Sequence, residues 1–430
     1  MLGRDPAAWS LFLAMCLGGP GGCGLAPEVE TGSESQLEAR EWPLTEGAPL
    51  TAHDASCLRL VDQKTWTSSV ANMADVGPAL GLPALLGDLN RAGPVLTAST
   101  HPPATGYKGG FRWNDGDMAT ADWIPQALTA GVSGGTNVAI VSWHYASSSP
   151  DKGVRLSVAD ISDMSGSAVN YRHVLLVRPT GTGQFTTVNE HGGGLAWFGD
   201  YLYMADTSDG LRVFDLRQIR QVDTSATCET QVGKVGSVWC AYGYKYVLPQ
   251  VSAYTVPSTL TSPCRPKFSF LGKDTRGGTS AVLSGEYCNS GDAQCPYDGS
   301  TPGLGGRLYR WPLNASTNRL VEVGGAVVPE RAWIMNEPNV QGVAPVMTST
   351  ATTSYWLSST RYGGALFKVS TSASRKAYLS GSSQWARMPE GMHATGSGTN
   401  LWTVTEGVSG VTNPATGGRV VFFVDQAAVD

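Results

Sequence analysis

The chain has 430 residues, 15% of them charged, with a formal net charge of −5, 53 glycines and 13 tryptophans. That balance excludes a nucleic-acid binder, because no basic field is available to displace counterions from phosphate. Few charges, many glycines and scattered aromatics suit many short strands joined by tight turns, and a propeller or barrel escapes the usual two- or three-domain reading of this length.

Residues 1–23 read as an export signal. A short apolar run, Trp9 to Leu17, follows Arg4 and precedes small residues. It falls short of the ~20 residues that span a bilayer, and no later segment is long or apolar enough. The stretch after Cys23 resembles the tether of a bacterial lipoprotein. Cys23 is therefore a candidate lipidation site, although the leucine usual three positions earlier is missing. The alternative is a plain secretory signal. Either leader places the protein outside the cytoplasm, secreted or in the cell envelope of a bacterium. Residues 24–50 are polar and form a linker. Residues 51–93 hold one or two short helices interrupted by Pro78 and Pro83.

From residue 94 the chain repeats. The clearest copy, His191 to Ile219, reads as three strands joined by a Gly-Asp and a Ser-Asp-Gly turn. Copies at 124–161, 268–313, 340–370 and 389–425 share its order: an inner strand, a second strand ending in polar residues, and a glycine opening the third. Those glycines are Gly153, Gly210, Gly306, Gly364 and Gly418. They recur at roughly 55 residues with one longer interval, which reads as equal blades with an insertion around 220–300. The expectation is an all-β propeller of five blades, or six if residues 50 to 120 hide a degenerate one. Fourth strands are predicted at 171–177, 244–248, 321–328 and 376–379. The last copy ends on its third strand, so an N-terminal segment, with Pro94 to Ser99 preferred, must close the ring. Six cysteines follow the leader, and an exported chain favours disulfides. The pairing expected is Cys228 with Cys240, Cys288 with Cys295, and Cys57 with Cys264.

The copy at 191–219, with YRHVLLV at 171, YKYVLPQ at 244, GRLYRWPL at 306 and NVQGVAP at 339, resembles a set of uncharacterised bacterial secreted and lipoprotein β-propellers. The likeness covers about residues 105 to 425, strengthens the fold and implies no chemistry. More distantly, Pro389-Glu390-Gly391 is similar to the inner-strand glutamate of gluconolactonase-like propellers. That resemblance implies a divalent-metal role for Glu390, but the partner asparagines and aspartate have no clear match here.

Inner strands of a propeller begin at one mouth of the central channel. The residues expected there are Gln126, His191, Gln341 and Glu390, with Lys273 and Asp274 nearby in the third blade and His144 at the end of a second strand. A polar ring of this kind needs water or a ligand to satisfy it. Asp206, Glu286 and Glu406 end second strands in three blades and are candidates for an acid/base set or for calcium. Capping of turns is the ordinary fate of such residues. Asn114-Asp115-Gly116-Asp117 with Asp122 resembles a calcium loop but lacks the alternating ligand pattern, so a solvated turn is expected. Trp113, Trp123, Trp143, Trp197 and Tyr145 would stack on sugars if they faced the mouth; packing between blades is their commoner role. His393 and Glu390 fall on opposite faces by simple alternation. The sequence thus favours a module binding a glycan, peptide or protein at the channel mouth. The alternative is a metal-dependent lactonase or hydrolase, or a carboxylate-based glycosidase or lyase, with calcium or another divalent ion as the cofactor considered.

Overall fold

Alternating apolar and polar residues broken by glycine turns fold each repeat into an antiparallel sheet. The computed structural model describes residues 49–430 apart from 148–149, 290–305, 349–352, 373–375 and 396–398. The stretch expected to be a leader, most of the expected linker, Cys16, Cys23 and Cys295 lie outside the described residues. Blade one comprises Trp123–Ser133, Thr136–Tyr145, Val154–Asp160 and Ala168–Gly181. Blade two has Leu195–Phe198, Tyr201–Asp206, Gly210–Asp215 and Tyr246–Thr255. Blade three has Phe270–Asp274, Ala281–Gly285, Arg307–Pro312 and Arg331–Ile334. Blade four has Val340–Pro345, Ser354–Ser359, Ala365–Ser370 and Lys376–Leu379. Blade five has Pro389–Ala394, Asn400–Thr405 and Val420–Asp425, with Tyr107–Arg112 as its outer strand.

The core shows that these sheets stand radially. Five buried clusters lie between successive blades. Val138, Ile140, Leu202 and Phe214 join one to two; Tyr203, Leu211, Val282 and Trp311 join two to three. Phe270, Leu283, Val343 and Tyr355 join three to four; Trp356, Leu366, Leu401 and Val420 join four to five. Trp143, Val141, Trp402 and Val421 join five back to one. A two-layer sandwich would have one core; five interfaces in a closed cycle make a five-bladed propeller. The inner strands touch around the axis in the same cycle. They approach so closely that a Cβ on Gly272 would sit 2.2 Å from the Val343 carbonyl oxygen, and one on Gly391 would sit 2.6 Å from the Ala127 Cα. Glycine is required where backbones meet this closely.

Three sequence expectations need correction. The closing strand is Tyr107–Arg112, which pairs with Val420–Val424. Pro94 instead ends a strand beside Ala168–Tyr171, and Val95 bridges Phe111 outside the closing strand. Glycines 109 and 110 hid this strand, since paired glycines read as a break; here a Cβ on Gly110 would meet the Val421 carbonyl oxygen at 2.5 Å. The outer strand of blade three is Arg331–Ile334, while Glu322–Val323 and Ala326–Val327 form a separate hairpin. In blade two, Gln250–Thr255 rather than Tyr244–Leu248 pairs with the third strand, and Val247–Pro249 runs parallel to the outer strand of blade one. The fourth strands at 171–177 and 376–379 lie where expected.

Cys57–Cys264 ties the N-terminal segment to the link between blades two and three, and Cys228–Cys240 closes the base of a hairpin in the insertion. Cys288 is also disulfide-bonded. The short helices Trp66–Asn72 and Gly81–Leu86 flank Pro78, with Pro83 in the first turn of the second, where a missing N–H costs nothing. No described helix is long and apolar enough to cross a membrane.

Candidate functional site

Three inner strands depart from regular pairing at the same place. The register shifts between Pro125 and Leu128, between Val340 and Gly342, and between Pro389 and Met392. Gln126, Gln341 and Glu390 each sit inside one of these irregularities. A bulge turns side chains off the regular ladder, a device found beside functional sites. Blade two reaches the equivalent point through Gly192–Gly194, behind His191. Ser142 joins the two blades there, accepting from the Ala127 N–H at 3.1 Å and donating to the Gly192 carbonyl at 2.6 Å. Ser358 donates to the Glu390 carbonyl in the same way between blades four and five.

The sequence-nominated residues separate into distinct neighbourhoods. Glu390, 1% exposed, shares a side-chain hydrogen bond with Glu406. Two carboxyls in such contact must hold one proton between them. Burial pushes Glu390 well above the ordinary carboxylate range, and the Glu406 charge adds to it. Burial also raises Glu406, partly offset by its bond to Glu390 and by the Arg419 charge. Arg419 donates through Nε to the Glu406 carbonyl at 2.9 Å and through Nη1 to the Thr120 carbonyl at 2.8 Å. It is also an electrostatic neighbour of His144. His144 Nδ1 lies 3.0 Å from His191 Nδ1, with the rings edge to face. Burial, then His191 and Arg419, lowers His144 to about 3. Burial lowers His191 to about 4. His191 keeps accessible surface although protein surrounds it. Both imidazoles are neutral at pH 7, so one Nδ1 donates and the other accepts. His144 Nε2 is buried and has no hydrogen-bond partner among the described residues. Gln126 Nε2 donates to the Pro125 carbonyl at 3.1 Å.

Asp206 belongs to another group. Its Oδ2 pairs with Arg212 Nη2 at 2.8 Å, and the same nitrogen donates to Glu190 Oε1 at 2.6 Å. Glu190, next to His191, was not nominated from sequence; a glutamate in a polar turn carries no distinguishing signal. Burial, then the Asp206 charge, pushes it up to about 7 against the pull of Arg212. The folded value exceeds the unfolded one, so the stability it contributes is full below about pH 4.5 and is lost as pH rises through about 7. Glu190→Gln, a mimic of the protonated acid, is therefore expected to melt above the parent protein at pH 8 and level with it at pH 4. Thermal melts at the two pH values decide it, and a parent that gains on the variant with rising pH refutes it.

Glu286 engages Arg307, Tyr309 and the Lys267 N–H in a pair with no exposed surface. Asp206, Glu286 and Glu406 thus each serve different partners. The acidic turn also differs from the solvated reading. Asn114 caps a five-residue helix, Asp115–Ala119, and Asp117 is buried. Asp117 meets His173 Nε2 at 3.0 Å, and His173 Nδ1 lies 3.0 Å from Ser157 Oγ. This has the connectivity of a serine–histidine–aspartate triad, yet Ser157 is 0% exposed and already accepts from Trp143 Nε1 at 2.8 Å. No substrate reaches it, so its role is structural. Trp113 and Trp143 are buried against one another at 4.9 Å, and Trp123 packs against Tyr145 at 5.0 Å beneath Arg155. Trp197 is likewise buried, and a Cβ on Gly131 would meet its ring at 2.6 Å. These tryptophans pack within and between blades. Among the described residues no three His, Cys, Asp or Glu converge as a metal site. The Glu390–Glu406 pair supplies fewer oxygens than the six to eight calcium takes.

No known family profile matches the chain, and no curated protein matches it. Among solved structures, a GH43_1 enzyme from Xanthomonas citri aligns at 12% identity over 72% of this chain and 88% of that chain, with a TM-score of 0.36. CoXyl43, a GH43 β-xylosidase/α-arabinofuranosidase from a compost microbial metagenome, aligns at 10% identity over 77% of this chain and 94% of that chain, with a TM-score of 0.35. Overlap this loose carries nothing about the site. Neither a gluconolactonase-like metal centre nor a lipoprotein class finds support in these comparisons.

Proposed function

We propose that this propeller binds a neutral, hydroxyl-rich ligand, a glycan, at the channel mouth through Gln126, His144, His191, Gln341 and Glu390. One observation carries the reading: His144 Nε2 is buried without a partner among the described residues, and leaving such a group unpaired is costly. The neighbouring chemistry supports the ligand class. Two amides, two neutral imidazoles and a carboxyl pair sharing a proton offer donors and acceptors with little net charge, which suits hydroxyls better than ions. The disulfides support an oxidising compartment outside the cytoplasm. The leader over 1–23 and a lipid anchor at Cys23 belong to the same proposal.

Hydrolysis is the weaker reading. Glycosidase carboxyls flank the scissile bond at about 5 to 9.5 Å, whereas Glu390 and Glu406 share a hydrogen bond. The test is calorimetric titration with neutral mono- and oligosaccharides, xylose and xylotriose among them, alongside a turnover assay on aryl glycosides. Saturable binding without turnover is expected, weakened at least about tenfold by Gln341→Ala or Glu390→Ala, the loss typical of one buried polar contact. Binding unchanged in both variants removes the mouth as the site, and turnover that depends on Glu390 replaces this reading with the hydrolytic one.

A further inference from the structure

Deeper in the channel lies a second group of side chains that the mouth does not use. Lys273 stands on the inner strand of blade three, Phe270–Asp274, and His393 on that of blade five, Pro389–Ala394. Blade four separates these strands around the ring, yet they touch across the axis. Lys273 Nζ lies 5.2 Å over the Phe198 ring of blade two. It also acts electrostatically on His393. A side chain that meets blades two and five from blade three is at the axis. His393 is three residues beyond Glu390, roughly 10 Å along an extended strand. The bulge between them breaks the alternation that would relate the two. Glu390 turns to Glu406, and His393 to Lys273.

Among the described residues this pair has no counter-ion. Burial lowers the Lys273 amine and the His393 imidazole alike, and no carboxylate is an electrostatic neighbour of either. Asp274, adjacent in sequence, is committed to Arg276 at 3.0 Å and Arg310 at 3.2 Å. Neither Lys273 Nζ nor the His393 ring has a hydrogen-bond or ion-pair partner among the described residues, and His393 is only 6% exposed. Lys273 is half-buried, and a cation part-way out of water with no counter-ion beside it carries a desolvation cost that an anion would relieve. The mouth, by contrast, offers neutral groups.

We propose that the channel interior is an anion site, in which Lys273 and His393 hold a small oxyanion or a carboxylate group. Lys273 supplies charge and three N–H donors, His393 supplies one ring N–H, and Phe198 walls the site on the blade-two side. The site stands apart from the mouth: sugar titration reports on one and anion titration on the other. The probes are inorganic phosphate, sulfate and acetate, titrated against the full chain at constant ionic strength in chloride, with thermal unfolding as the readout. The expected result is a saturable rise in melting temperature with at least one probe, with the apparent Kd raised about tenfold or more in Lys273→Met and largely kept in Lys273→Arg. In chloride alone, Lys273→Met should melt at or above the parent temperature, because it removes a half-buried charge that has no counter-ion among the described residues. A response equal in the parent and Lys273→Met is the general salting effect of kosmotropic ions and overturns the proposal, as does no saturable response to any probe. If Lys273→Met does not fold, His393→Gln takes its place: a weakened response supports the site and an unchanged one overturns it.

Discussion

Glu286→Ala should lower unfolding free energy by about 3 to 5 kcal/mol, the usual cost of leaving a buried charge without its partner. Its Oε2 accepts from Arg307 N–H at 3.0 Å and Nε at 2.9 Å. Its Oε1 accepts from Arg307 Nη2 at 2.7 Å, Lys267 N–H at 3.0 Å and Tyr309 OH at 3.1 Å. Glu286 and Arg307 are both 0% exposed, so the loss takes from a buried guanidinium the carboxylate that its Nε and Nη2 both donate to. Urea denaturation of parent and variant measures the effect. The double variant Glu286→Ala/Arg307→Met should recover much of it, since an apolar replacement of both partners is often neutral. Stability unchanged in Glu286→Ala, combined with lost ligand binding, would instead make this carboxylate functional. The prediction bears directly on function, because sequence position alone ranks Glu286 equal to Asp206 and Glu406.

That ranking shows where sequence reading stops. The five glycines that open third strands, and the apolar runs beside them, are local signals, and they made the blades and their number legible. The pairing Cys228–Cys240 followed from an even count and short spacing, and Cys57–Cys264, 207 positions apart, as the pair those close ones leave over. What sequence did not carry is cross-strand register. Glu390 and Glu406 are sixteen positions apart and became a pair because a hairpin with one inserted residue sets them side by side. The same insertion defeats any period-2 inference from Glu390 to His393. Arg419 follows a repeat glycine and looks like any strand-opening residue; only closure of the ring brings it beside His144 in blade one. The closing strand itself was obscured because the glycines that permit its close approach carry no strand pattern.

Asp117→Ala should also cost about 3 to 5 kcal/mol, for a related reason. The Asp117 carboxylate accepts from Arg155 Nη2 at 2.9 Å, Tyr171 OH at 2.6 Å and His173 Nε2 at 3.0 Å. It thereby fastens the helix that follows the closing strand onto the third and fourth strands of blade one, so its loss loosens the ring where the chain's two ends meet. Burial alone would raise this carboxyl, but His173, Arg155 and Tyr171 together hold it well below the ordinary carboxylate range. A depressed folded value means stability present above the unfolded value near 3.8 and lost as pH falls through the folded one. The gap between the parent and Asp117→Asn should therefore be wide at pH 7 and narrower at pH 3, as urea midpoints at the two pH values will show. His173, lowered to about 3 mainly by burial, stays neutral across most of that range and does not reverse the sign. Ser157→Ala should cost only about 1 to 2 kcal/mol, the price of one unmet buried hydrogen bond, and should leave ligand binding intact. If Ser157→Ala abolished a hydrolytic activity while stability held, the buried serine–histidine–aspartate chain would have to open to substrate, and its structural assignment would be wrong.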